Sequence, residues 1–98
     1  MVTYRAAYFF ADDADNGWVS CQVVDFPAAI SQGRGLEDAR RMLASALMDM
    51  AETYILQGDP LPIPDSSLSK PDADLHEPIH LVLEASAHVC VVIDRVGA

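Results

Sequence analysis

A short turn rich in carboxylates is the first segment of the sequence whose side chains could do chemistry. It carries Asp12, Asp13 and Asp15. Carboxylate oxygens at alternate positions of a loop are typical of calcium sites, and the EF-hand pattern adds a glutamate at its twelfth position. Aligned on Gly17, that pattern puts Ala14 at a ligand position and Val23 where the glutamate belongs. Two oxygen ligands are therefore missing, and we predict a solvated hairpin turn without a metal ion.

Three histidines near the end of the chain raise the question of a zinc site. They are His76, His80 and His88. Pro78 interrupts the helical spacing between the first two, and no cysteine lies close to these two in sequence. We therefore expect surface or strand-edge histidines, with no metal and no cofactor.

Nucleophiles and phosphate-binding loops offer no clearer catalytic signal. Cys21 lies in VSCQV and Cys90 in another apolar, β-branched run, where a thiol packs as a small hydrophobic group and a disulfide is not expected. The sequence has no G-x-S-x-G motif, and Gly33-Arg34-Gly35 is only a fragment of a phosphate loop. The residues therefore predict a binding protein and not an enzyme.

Composition and charge limit the class of partner. The 98 residues are 51% hydrophobic, which is ordinary for one globular domain, and carry a net charge of -9. This charge repels nucleic acid, so no direct nucleic-acid binding is expected and a basic protein is the favoured partner. No apolar run reaches the roughly 20 residues of a membrane span, and no signal segment begins the sequence, so we expect a cytoplasmic protein without membrane contact.

The hydrophobic pattern predicts three strands followed by one long helix. The strands are expected at Tyr4–Ala11, Trp18–Val24 and Ala28–Gln32, and the helix at Leu36–Gln57. Its apolar stripe is Ala39, Met42, Leu43, Ala46, Leu47, Met50 and Tyr54. Gly58 is placed to end the helix, and the prolines that follow prevent its continuation.

The rest of the chain divides into a connector and a β-rich tail. Residues 59–78 hold five of the six prolines and predict an extended connector, mobile or laid along the surface. Residues 79–96 predict one or two C-terminal strands, each kept in its own subunit or exchanged between subunits. The whole is a single α+β domain: a three-stranded antiparallel sheet, one long helix on one face, a core at residues 1–58, and the order β-β-β-α-β(-β).

One helix can cover only one face of such a sheet, so apolar residues are left for a partner or a second copy. We predict a homodimer or a higher homo-oligomer on this ground. The candidate partner or oligomer surface consists of Tyr4, Tyr8, Phe10, Asp12, Asp13, Asp15, Trp18, Met48 and Ile55.

Six short motifs then follow one another in a specific order between residues 4 and 64. They are Tyr4-Arg5-Ala6-Ala7-Tyr8, Gly17-Trp18 after the acidic turn, Val24-Asp25-Phe26-Pro27, Gln32-Gly33, Leu36-Glu37-Asp38-Ala39 and Gly58-Asp59-Pro60-Leu61-Pro62. This ordered set resembles the HicB-like antitoxin family. The sequence departs from the family pattern at Ala28, where glycine is usual, and at Gly35, where a capping Ser, Thr or Asp is usual.

The resemblance implies a fold similar to a reduced ribonuclease-H-like domain without its carboxylate cluster. It also implies a function, which is to bind and mask a small basic HicA-type toxin that cleaves messenger RNA. Many members carry a DNA-binding segment as well, but none follows the helix here, so no DNA-binding domain is expected. The alternative is a stand-alone structural or regulatory homo-oligomer without a toxin partner.

Overall fold

The computed structural model describes residues 1–11, 17–84 and 89–96, and within them five strands form one antiparallel sheet beside one helix. The elements are β1 (Val2–Phe10), β2 (Trp18–Val23), β3 (Ile30–Arg34), α1 (Leu36–Leu56), β4 (Leu75–Leu83) and β5 (Val89–Ile93). The strand order across the sheet is β3-β2-β1-β4-β5. The α+β class is confirmed, and the C-terminal part of the chain forms two strands.

One face of the sheet forms the core because strand residues alternate between its two sides. The buried strand residues on this face are Tyr4, Ala6, Tyr8, Val19, Cys21, Val23, Ile79, Leu81 and Val89. The sheet curls around α1, so the helix contacts both edge strands, β3 and β5. In the described part of the chain, no helix is long and apolar enough to cross a membrane.

The helix buries a stripe close to the predicted one. Ala39, Leu43, Leu47 and Ala51 are fully buried. Met42 was expected in this stripe but is 37% exposed, because it lies about 100° around the helix from Leu43. The helix ends as predicted at Gly58, whose φ of 73° is in the left-handed region that favours glycine.

Strand β3 lies two residues further along the chain than expected. It was predicted at 28–32 and ends at Arg34, so it runs through Gly33. A Cβ atom on Gly33 would lie 2.4 Å from the backbone nitrogen of Ala39. The glycine therefore does not end the strand, but lets it approach the first turn of α1 closely.

Strand β4 begins at Leu75, four residues earlier than expected, and the connector therefore ends at residue 74 and not at 78. Pro78 lies inside β4, where a missing amide normally costs a sheet hydrogen bond. Its carbonyl accepts the amide of Asp94 at 3.1 Å, just after the last residue of β5. The missing amide thus falls at the end of the β4–β5 ladder, where strand pairing stops.

The proline-rich connector is laid along the domain by hydrogen bonds from β1 and the loop after β2. The Tyr4 hydroxyl donates to the Pro62 carbonyl at 2.8 Å, and the Arg5 guanidinium donates to the Leu68 carbonyl at 2.9 Å. The carboxylate of buried Asp25 accepts the amide of Asp65 at 3.1 Å. The sequence predicted a connector that is either mobile or laid along the surface, and these contacts favour the second form.

Candidate partner-binding surface

The end of the β1–β2 hairpin carries two of the candidate aromatic residues. Phe10 is 48% exposed and Trp18 is 37% exposed. The two strands are joined there by a hydrogen bond of 3.0 Å from the Ala11 amide to the Trp18 carbonyl. Phe10 pairs with Val19 and lies on the sheet face that packs against α1, whereas Trp18 pairs with Arg34 on the opposite face. Both residues, with Leu36 at the start of α1, line an open cavity of about 250 Å³. This is an exposed apolar surface of the kind that commonly binds a partner.

The aromatic residues are held in place by the elements around them. The Phe10 amide donates to the Asp74 carboxylate at 2.6 Å, and the Asp74 amide donates to the Tyr8 carbonyl at 2.8 Å. The Arg34 guanidinium lies 5.1 Å from the centre of the Trp18 ring, a cation–π distance. A cationic side chain of the same chain therefore already rests against this indole.

The three aspartates of the candidate surface, Asp12, Asp13 and Asp15, lie outside the described residues. In the sequence they stand between Ala11, which follows β1, and Gly17, which precedes β2. The chain connection therefore ties three formal negative charges to the hairpin that carries the aromatic pair.

Tyr4 and Tyr8 do not belong to an exposed surface, which corrects the expectation from the sequence. Their exposure is 2% and 0%, because α1 covers the sheet face on which they lie. The ring of Phe26 stacks edge-on between Tyr4 and Tyr54, with centroid distances of 5.5 and 5.1 Å. Burial and, after it, the nearby Glu77 carboxylate raise the pKa of Tyr8, so its hydroxyl stays protonated.

Met48 and Ile55 lie on α1, apart from the hairpin end. Met48 packs against the core, whereas Ile55 is 41% exposed. From Leu36, which lines the hairpin cavity, to Ile55 the helix rises about 28 Å. The described members of the candidate surface therefore divide into separate regions, and among them only Phe10 and Trp18 line a common cavity.

A buried ion pair between Arg40 of α1 and Glu77 of β4 was missed by the sequence reasoning. The guanidinium donates to both carboxylate oxygens, at 2.9 and 2.7 Å, and the side chains are 3% and 0% exposed. Burial alone would raise the pKa of Glu77, but the hydrogen bonds from Arg40 and from the Val96 amide outweigh it and lower that pKa. The pair is therefore ionised, and it fixes α1 to the C-terminal strands.

Three hydrogen-bonded polar side chains cross the face of the sheet opposite α1. The Thr3 hydroxyl lies 2.8 Å from Nδ1 of His80, and Nε2 of His80 lies 2.6 Å from the Asp94 carboxylate. The order of groups is that of a nucleophile, a base and an orienting carboxylate. Thr3 and His80 are, however, direct cross-strand partners in the β1–β4 register, so the sheet itself brings them together. We interpret these hydrogen bonds as a cross-strand link between β1, β4 and the end of β5.

The other predicted chemistry concerns metals and thiols. Over residues 1–11, 17–84 and 89–96, no three His, Cys, Asp or Glu side chains are grouped closely enough to hold a metal ion. His88 lies outside these ranges. Burial raises the pKa of Cys21 to about 11, so its thiol is not a ready nucleophile.

Comparisons with protein-family models, with curated proteins and with solved structures find no match for this chain.

Proposed function

We propose that the chain is a HicB-like antitoxin that binds and masks a small basic protein which cleaves messenger RNA. The observation that carries the proposal is the exposed aromatic pair Phe10 and Trp18, joined in sequence to three aspartates, on a chain of net charge -9. The ordered motifs of the sequence support the choice of family. Messenger RNA is cleaved in the cytoplasm, so the proposal places the complex there.

The proposed mechanism is binding alone. A protein that binds RNA needs a basic surface, and the same surface attracts an acidic protein. The acidic field accelerates the encounter, and the aromatic pair then supplies apolar and cation–π contacts to arginine or lysine side chains. RNA cannot reach a basic surface that is covered in this way.

The test is whether this chain inhibits RNA cleavage by a HicA-type toxin, sought as a short basic protein encoded by an adjacent gene. The wild-type chain is expected to inhibit cleavage stoichiometrically and to bind no operator DNA. The double variant Phe10→Ala/Trp18→Ala is expected to need at least about tenfold more protein for half-inhibition, because buried aromatic contacts dominate interfaces.

A matched control removes two other exposed apolar side chains. Leu56 and Ile63 are 87% and 85% exposed and lie outside the hairpin cavity. Leu56→Ala/Ile63→Ala is expected to inhibit as the wild type does. Equal loss of inhibition in the two double variants would contradict the proposed surface. Sequence-specific DNA binding by the chain alone would contradict it as well.

A further inference from the structure

The outer edge of β5 is an apolar strand edge whose backbone groups have no strand to pair with in the described part of the chain. Its sequence, VCVVI, contains no charged residue. Exposed strand edges are normally protected by charges, prolines or covering segments, since they otherwise pair with another chain. Val92 beside this edge is 50% exposed.

The other edge of the sheet, β3, is protected in just these ways. Its sequence is ISQGR, with polar residues at three of the five positions. The Arg34 amide donates to the Asp38 carboxylate at 2.9 Å and is thereby occupied. The contrast between the two edges points to β5 as the one that takes a partner.

The hydrogen bonds between β5 and β4 show which backbone N–H and C=O groups of β5 face away from the sheet. Because the Asp94 amide bonds to the Pro78 carbonyl, the alternation of an antiparallel ladder turns the backbone groups of Cys90 and Val92 toward β4. Those of Val89, Val91 and Ile93 therefore face outward. Three outward-facing residues at alternate positions form a self-complementary edge, centred on Val91.

The groove beside this edge carries no net negative charge although the whole chain is acidic, and its third arginine, Arg40, is neutralised by buried Glu77. It has a volume of about 710 Å³ and is lined by Val91, Val92 and Ile93 of β5 and by Glu37, Asp38, Arg40, Arg41, Ala44 and Arg95. Three of the chain's six Lys and Arg residues are thus placed here. Glu37 pairs with Arg40 and Arg95, and Asp38 pairs with Arg41.

We propose that β5 pairs antiparallel with β5 of a second copy of this chain, about a two-fold axis at Val91. Val91 then faces Val91 of the second copy, and Val89 faces Ile93. The outward N–H and C=O groups of the two strands therefore lie opposite each other and form hydrogen bonds. A second copy is the occupant that fits, because the edge is complementary to itself and the nearby charges are neutralised in pairs. The inference does not depend on the existence of a toxin.

The pairing makes a specific prediction about Cys90. Across the proposed axis Cys90 faces Val92 of the second copy at a non-hydrogen-bonded position, where Cα atoms lie about 4.5 Å apart and a disulfide fits. Within one chain the two positions are about 6.7 Å apart with parallel side chains, which a disulfide does not span without strain. Val92→Cys is therefore expected to convert mostly to a covalent dimer under mild oxidation.

Two controls accompany the cross-link. Val92→Cys/Cys90→Ser lacks the facing thiol and is expected to stay uncross-linked. Ile30→Cys places a thiol on the other sheet edge, where Ile30 is 64% exposed, and measures cross-linking by random collision. Cross-linking of Val92→Cys no faster than that of Ile30→Cys would overturn the proposed register.

The second test is the oligomeric state of the reduced protein by sedimentation. The wild type is expected to be a dimer at tens of micromolar. Val91→Pro removes the central outward amide and is expected to raise the dissociation constant of the dimer at least about tenfold. Gln32→Pro removes an outward amide of β3 and is expected to leave the dimer unchanged. A monomeric wild type, as expected if the edge takes a strand of another protein, would overturn the proposal, and so would equal effects of the two prolines.

Discussion

Arg40 and Glu77 face each other across the core with two parallel hydrogen bonds, of 2.9 and 2.7 Å, although 37 residues separate them in the sequence. The Val96 amide adds a third bond to the same carboxylate at 3.1 Å. One buried acid thus holds together α1, β4 and the chain after β5. The position of the β5 edge beside α1 depends on this contact.

Removing one partner of the ion pair is expected to be costly. Glu77→Ala leaves a buried guanidinium without its main partner, and we expect a loss of about 3–5 kcal/mol in the free energy of unfolding. Denaturant unfolding measures this loss. The double variant Arg40→Met/Glu77→Leu buries no charge and is expected to recover most of it. A double variant as unstable as Glu77→Ala would show that the charges themselves are needed.

The same carboxylate makes stability depend on pH. Hydrogen bonds hold the pKa of Glu77 below its ordinary value of 4.5 in the folded chain. The unfolded chain therefore binds the proton more tightly, so Glu77 stabilises the fold above about pH 4.5 and loses this effect as the pH falls through its folded pKa.

The measurement compares unfolding free energies of the wild type and Glu77→Gln from neutral pH down to about pH 3. The difference between the two proteins is expected to shrink below about pH 4.5, since the variant lacks the titrating group. A difference that stays constant across this range would contradict the assignment.

Gly33 is expected to tolerate no side chain. A Cβ atom there would lie 2.4 Å from the Ala39 nitrogen, which belongs to the backbone and cannot rotate away. Gly33→Ala is therefore expected to lower the free energy of unfolding by about 1–3 kcal/mol, as overpacking does. Gly17→Ala is the control, because a Cβ there meets no atom within 4 Å and only the positive φ of 77° opposes it. No loss of stability in Gly33→Ala would contradict the close contact with α1, since Gly33 lacks the positive φ that opposes a side chain at Gly17.

The core stripe of α1 is tested by two neighbouring residues. Leu43 is fully buried, and Leu43→Ala is expected to cost about 2–5 kcal/mol by leaving a cavity. Met42 is 37% exposed, and Met42→Ala is expected to change stability by about 0.5 kcal/mol or less. Thermal or denaturant unfolding measures the stability of both variants. Similar losses in the free energy of unfolding would refute the orientation of the helix.

The sequence predicts best what depends on local periodicity. Leu43 and Leu47 repeat at helical spacing, and Gly58 ends the helix where its backbone freedom is needed. Gly33 and Pro78 were read as breaks, yet both lie inside strands, because each is allowed there by a contact with another element: α1 for Gly33 and the end of β5 for Pro78. Local propensity does not contain that information.

The candidate surface could be predicted only in part. Phe10, the last residue of β1, is exposed as expected because it lies beyond the cover of α1, and Trp18, the first residue of β2, because it lies on the opposite face of the sheet. Tyr4 and Tyr8 have the same alternation in sequence, but the helix covers them. The burial of Arg40 depends on Glu77, so no pattern within α1 reveals it.

The proposed antitoxin role depends most directly on the charge of the hairpin loop. The probe is the rate at which the proposed basic toxin associates with this chain, measured by stopped flow. Asp12→Asn/Asp13→Asn/Asp15→Asn is expected to lower that rate roughly tenfold at low salt, and by less as salt screens the field. The matched variant Asp49→Asn/Glu52→Gln/Asp59→Asn changes the net charge equally but on the distant end of α1, and is expected to slow association less. Equal rates for the two triple variants, or association independent of salt, would contradict the account.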